Sequence, residues 1–156
     1  MKPTTANSKK PDPDSLRERA LALLARREHS RFELAHKLER AGFAPEAIAP
    51  LLDEFERKNW LSDRRFAEAW VHDHRAKSGA IKLAYELRQR GVADAVVEAV
   101  LAQQPDSELD RARAVWLKKF GAAPASPTDY AKQARFMAGR GFSAGVLRAL
   151  LKPSDD

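Results

Sequence analysis

The chain of 156 residues contains no cysteine, which excludes a disulfide framework, a thiol nucleophile and a thiolate metal site. Nothing therefore ties it to an oxidising compartment, and a cytoplasmic setting is expected. No run of apolar residues approaches the length of a membrane span. Residues 1–14 begin with lysines and prolines but lack the apolar stretch of a secretory signal, so they read as a disordered N-terminal tail. No segment alternates apolar and polar residues as a half-buried strand would, which leaves an all-helical fold.

A catalytic constellation is absent as well. The histidines are His29, His36, His72 and His74. His72 and His74 stand two apart on an expected helix and do not share a face, so surface or partly buried histidine is favoured over a metal site. Asp53, Glu54 and Glu56 occupy the polar side of an amphipathic helix and read as a solvated face. The isolated Gly139-x-Gly141 follows no strand, and a helix end accounts for it better than a phosphate loop. These absences predict a protein that is not an enzyme and needs no cofactor or metal.

What the chain does have is a threefold internal repeat. The segments Glu33–Phe55, Lys82–Gln104 and Lys132–Ser154 align without a gap at spacings of 49 and then 50 residues. Leu38, Leu87 and Met137 fall in register, as do Gly42, Gly91 and Gly141, and then Leu51-Leu52, Val100-Leu101 and Leu150-Leu151. A fixed period of this size marks one supersecondary unit stacked on copies of itself, giving extended surface more readily than a deep pocket. The expected architecture is three tandem three-helix repeats in an elongated or curved array: residues 15–61, 62–105 and 106–156. Each repeat ends in a one-sided helix with i, i+3, i+4, i+7 apolar spacing, as in Ile48, Leu51, Leu52 and Phe55. Ser15 to Glu18 and Ser30 to Glu33 have capping-box spacing, Ser62 and Ser107 suit N-caps, and Pro45 suits a first turn. The aligned glycines suit helix ends that need a left-handed residue, each followed by an apolar side chain (Phe43, Val92, Phe142) able to fold back over the last turn. Trp70 and Trp116 lie on apolar stripes and are expected in the core.

The formal charge of +6 is distributed as +2 over residues 1–13, 0 over 14–61, +1 over 62–105 and +3 over 106–156. A basic balance with a pI near 9.8 suits a partner that is, or sits beside, a polyanion. The strongest interaction candidates are the second repeat's Arg64, Arg65, Arg75, Lys77, Lys82, Arg88 and Arg90. Tyr85 joins them, because with Ile81 and Arg88 it forms a stripe beside the Leu83–Leu87 core line. Such residues are expected to contact a protein partner or nucleic acid; pairing of Arg64 and Arg65 with Glu68 is the competing account. A second basic region lies around Lys118, Lys119, Lys132 and Arg135 in the third repeat.

Three stretches, in this order, carry a resemblance. They are Leu23 to Glu33-Leu34 (LLARREHSRFEL), Leu61 to Ala67 (LSDRRFA), and Gly79 leading to Glu86 to Val92 (ELRQRGV). Over roughly residues 15–151 the chain resembles the RecX family of recombination regulators. The resemblance implies a non-enzymatic modulator that binds the RecA recombinase and the groove of the RecA–DNA filament, blocks filament growth and lowers ATP hydrolysis and strand exchange. The alternative reading is a helical-repeat module that binds DNA through a basic face without RecA. Direct weak contact with DNA is compatible with both readings. A membrane or a small-molecule substrate is expected for neither.

Overall fold

A computed structural model describes residues 13–152. The expected disordered tail therefore lies, up to residue 12, outside the described residues, as does the end of the third repeat from residue 153. Nine α-helices and no strand are present among the described residues: α1 (Pro13–Arg26), α2 (Arg31–Arg40), α3 (Pro45–Arg57), α4 (Asp63–His74), α5 (Ala80–Gln89), α6 (Asp94–Ala102), α7 (Glu108–Lys119), α8 (Pro127–Gly139) and α9 (Ala144–Leu150). They form two compact units, Met1–Phe66 and Ala67–Asp156, and the division falls inside α4.

In the first unit α1, α2 and α3 all pack on one another. Their apolar stripes converge in one cluster, with Leu16, Ala20, Leu34, Leu38, Ile48, Leu52, Phe55 and Leu61 buried and Leu23, Leu24, Phe43 and Leu51 packed against it. Each fully buried leucine or phenylalanine contributes about 1.5–3 kcal/mol relative to exposure. Ser30 caps α2 with a complete capping box, its Oγ accepting from the Glu33 N–H and the Glu33 carboxylate accepting from the Ser30 N–H. Ser15 plays no such part: α1 already begins at Pro13, so Ser15 lies inside the helix and is exposed. Proline needs no N–H partner in a first turn, which explains the earlier start.

The second unit holds the remainder of α4 and the helices α5 to α9. Ala67 and Val71 of α4, Leu83, Ala84 and Leu87 of α5, and Val97 and Val100 of α6 are buried. A further cluster gathers Ala112, Met137, Phe142 and Leu147, with Trp116, Phe136 and Leu150 packed against it. Trp116 is half-buried and packs against this cluster instead of lying within it, and its indole N–H donates to Gln133 Oε1 at 2.8 Å while Gln133 Nε2 donates to the Ala122 carbonyl at 3.0 Å. Trp70 is only half-buried. It lies between the His74 ring, stacked at 4.0 Å, and the Arg90 guanidinium, 3.8 Å from its centroid.

The glycine register has the conformational cause expected of it. Gly42, Gly91 and Gly141 have φ of 101°, 80° and 90°. In each case the next residue's N–H reaches back to the carbonyl of Leu38, Leu87 or Met137, while the glycine N–H bonds Glu39, Arg88 or Ala138. This double bond pattern satisfies the free carbonyls of α2, α5 and α8, and a Cβ at the left-handed position would cost roughly 1 kcal/mol. Serine caps recur at Ser62, Ser107, Ser126 and Ser143.

Candidate partner and nucleic-acid interface

A recurring polar joint places the basic residues. In the first unit the backbone N–H of Arg31, at the start of α2, donates to Asp63 Oδ1 at 2.8 Å, and Asp63 is the first residue of α4. In the second unit Ala80, at the start of α5, donates to Glu108 Oε1 at 3.0 Å, and Glu108 is the first residue of α7. The first N–H groups of a helix have no intrahelical acceptor, so a carboxylate from the next repeat's leading helix supplies one. Burial raises the Asp63 carboxyl above its ordinary range, and the Arg31 N–H only partly opposes the shift.

The α4–α5 connection is fixed by Arg111, itself 9% exposed. Its Nη1 donates to the carbonyls of Arg75 and Ser78, both at 3.0 Å, and burial lowers its pKa. Counted from the serine caps Ser62 and Ser107, Arg111 occupies the position of Phe66, so a buried phenylalanine in one leading helix is replaced by a buried cation in the next. Gly79 then packs against the α8–α9 turn: its N–H donates to the Arg140 carbonyl at 2.7 Å, and the Ile81 N–H donates to the Gly141 carbonyl at 3.1 Å.

The sequence candidates separate into two kinds. Arg64 and Arg65 fall in the first unit and the other six in the second. Arg65 Nε pairs with Glu28 at 3.0 Å and its Nη1 donates to Asn59 Oδ1 at 2.8 Å. Arg75 pairs with Asp106 at 2.6 Å, Arg88 pairs with Asp94 at 2.7 Å, and Arg90 donates to the Glu86 carbonyl at 2.9 Å while lying over Trp70. Arg64 and Lys77 are exposed and Lys82 is half-buried beside Gly141. Tyr85 and Ile81 are 61% and 58% exposed, large apolar surfaces next to Arg88 on α5.

His29 is buried, 1% exposed, where a surface or partly buried histidine was expected. Asp53 and Glu56 are exposed as expected but hold the Arg31 guanidinium, at 2.7 and 3.0 Å. Glu54 pairs with Arg17 and Lys58. Among the described residues no group of three or more histidine, aspartate or glutamate side chains is arranged to hold a metal ion, and no helix is long and apolar enough to cross a membrane.

Family models for the RecX first, second and third three-helix domains match residues 17–55, 62–101 and 106–151 in that order. The chain belongs to the RecX family. It is 43% identical over 143 residues to the regulatory protein RecX of Ralstonia nicotianae, covering 92% of this chain and 90% of the relative. RecX of Halorhodospira halophila is 42% identical over 145 residues, with 92% and 90% covered. Among solved structures, one titled regulatory protein RecX has a TM-score of 0.79 at 20% identity over 90% of this chain and 73% of its own, and RecX from Lactobacillus salivarius has 0.77 at 16% identity over 90% and 94%. These structures share the RecX fold with this chain. The matched domains, named as three-helix domains, agree with α1–α3, α4–α6 and α7–α9, and the chain is accordingly a regulatory protein built from helical repeats.

Proposed function

We propose that this RecX-family chain acts in the cytoplasm by binding the RecA recombinase and the groove of the RecA–DNA filament, where it limits filament growth and lowers ATP hydrolysis and strand exchange. The observation that carries the reading is the match of all three three-helix domains, in order and over most of the chain, to a family named as regulatory. The contact residues we assign are Arg64 and Arg65 in the first unit and, in the α4–α5 region of the second unit, Lys77, Lys82 and Tyr85 together with Arg75, Arg88 and Arg90, which present charge from positions held by Asp106, Asp94 and Trp70. An exposed tyrosine beside cations is the residue type enriched at protein interfaces. No catalytic step is assigned to the chain.

The test is DNA-dependent ATP hydrolysis by RecA titrated with this protein. Suppression at concentrations well below that of RecA is expected, because one blocked end or groove affects many filament subunits. Inhibition only at DNA-saturating concentrations, reversed by added DNA, would overturn the reading.

A further inference from the structure

Within the second unit, the α4–α5 connection and the third repeat form a basic cleft separate from the α5 face. Ala76 and Lys77 of the α4–α5 connection, Val115, Lys118 and Lys119 of α7, and Phe136 and Arg140 at the end of α8 enclose about 530 Å³. Four of its lining residues are cations and none is acidic. Three other cations of the second unit have carboxylate partners: Arg75 pairs with Asp106, Arg88 with Asp94 and Arg113 with Asp110. Lys77, Lys118, Lys119 and Arg140 make no ion pair among the described residues.

Helix ends explain part of this, since one cation in a last turn offsets the partial negative charge of the terminal carbonyls by about 0.3–1 kcal/mol. They do not explain why Lys118 and Lys119 of α7 share a cleft with Arg140 and Lys77, where like charges repel unless an anion joins them. The cations also have an aromatic floor. Lys119 Nζ lies 5.1 Å and Arg140 Cζ 5.2 Å from the Phe136 centroid, and Phe120 packs edge-on against that ring at 5.4 Å.

The walls are fixed in place. Arg111 grips the carbonyls of Arg75 and Ser78 on either side of Lys77, and the Gly79 N–H holds the Arg140 carbonyl at 2.7 Å. Both ends of the cleft are therefore positioned before any ligand arrives, which lowers the ordering cost of binding.

We propose that this cleft binds the phosphodiester backbone of single-stranded nucleic acid, with Lys77, Lys118 and Arg140 facing phosphates and the Phe136–Val115 floor taking a sugar or base. A single strand offers both chemistries together, alternating charge with apolar ring faces. An acidic peptide would satisfy the cations but has less to place on the floor. The proposal does not depend on RecA.

The experiment is fluorescence anisotropy with a labelled oligothymidylate and the full chain alone, repeated at several salt concentrations. One single-strand phosphate contact contributes a salt exponent of about 0.7, so at about 50 mM salt its loss weakens binding roughly eightfold. Lys118→Ala with Arg140→Ala is expected to weaken binding by well over tenfold and reduce the slope of log affinity against log salt by about 1.4. Lys118→Ala with Lys119→Ala, two exposed side chains at a helix end, gives the same direction if the Arg140 variant unfolds. Lys132→Ala with Arg135→Ala, exposed cations outside the cleft, is expected to change both quantities less. Wild-type affinity and slope in a folded cleft variant, equal loss in the control pair, or no binding by the wild type would overturn the proposal. Equal displacement by polyglutamate of matched charge would overturn it too, by making the ligand an acidic peptide.

Discussion

The backbone N–H of Gly79 donates to the carbonyl of Arg140 across 2.7 Å, joining the start of α5 to the end of α8. The approach leaves no room for side chains. A Cβ on Gly79 would stand 2.5 Å from the Gly141 carbonyl oxygen, and one on Gly141 would collide with the backbone and Cβ of Lys82.

Gly79→Ala, by collision alone, and Gly141→Ala, by collision added to roughly 1 kcal/mol of left-handed strain, should therefore each destabilise the protein by about 2–4 kcal/mol. Gly139→Ala provides the contrast. Nothing lies within 4 Å of the place its methyl group would take, so alanine in that helix should stabilise by up to about 1 kcal/mol. Urea unfolding followed by circular dichroism separates the three, and a Gly79→Ala protein as stable as the parent would mean that the two backbones are not in contact.

The joint at Arg31 and Asp63 makes a prediction about charge. Asp63→Ala leaves the Arg31 N–H without its acceptor and should cost about 1–3 kcal/mol. Asp63→Asn keeps an oxygen in place and removes a half-buried charge, so near pH 7 it should be slightly more stable than the parent. Because the folded-state pKa is raised, the ionised carboxylate opposes folding above that pKa, and the penalty is relieved as pH falls through it. Comparing the two variants with the parent at neutral and mildly acidic pH tests this, since the gap between the parent and Asp63→Asn should close on acidification.

His29 sets a second pH dependence with the opposite direction on acidification. Its Nδ1 lies 3.0 Å from the Arg27 carbonyl, which can only accept, and its Nε2 lies 2.9 Å from Lys37 Nζ, which can only donate. Both nitrogens are therefore used by the neutral ring. Burial holds the pKa below the usual histidine value, and the Arg27 and Lys37 charges add to the effect. A lowered folded-state pKa means that stability is fully present above the unfolded value of about 6.5 and declines as pH falls through and below it. Urea midpoints measured from pH 8 to pH 5 should fall for the parent and fall less for His29→Gln. Identical pH profiles would show that the imidazole is not responsible.

Arg111 links stability to the connection it holds. Arg111→Met keeps most of the buried volume but removes the donors to Arg75 and Ser78. Faster amide exchange at residues 75–80 is expected, with α1 to α3 unaffected. Uniform acceleration throughout the chain would instead indicate global destabilisation.

The sequence disclosed what depends on near neighbours. Leu34, Leu38, Ile48 and Leu52 advertise their helical faces by spacing, and Gly42, Gly91 and Gly141 advertise helix ends because no other residue takes that backbone conformation cheaply. The partners of the basic residues were hidden for the converse reason. Arg65 finds Glu28 and Arg75 finds Asp106 from 37 and 31 residues away, whereas a local pattern can suggest only Glu68. Arg111 was hidden among arginines that a leading helix would carry on its surface, since only the tertiary fold turns it inward to the Arg75 and Ser78 carbonyls. Phe136 and Arg140 likewise carry no local sign of a cleft: one in the last turn of α8 and the other just after it, they acquire that role only when α7 brings Lys118 and Lys119 beside them. Ser126 and Ser143 carried a legible capping signal that spacing alone did not single out.

The carboxylates of Asp63 and Glu108 bear on how such a chain can change length. Each accepts an N–H that every α-helix has to spare, from the start of the preceding repeat's middle helix. The joint asks of its donor only a helix beginning and of its acceptor only one acidic residue after a serine cap. Duplication of a whole three-helix segment thus brings along both halves of its own fastening, and a copied repeat meets its neighbour with that bond already specified.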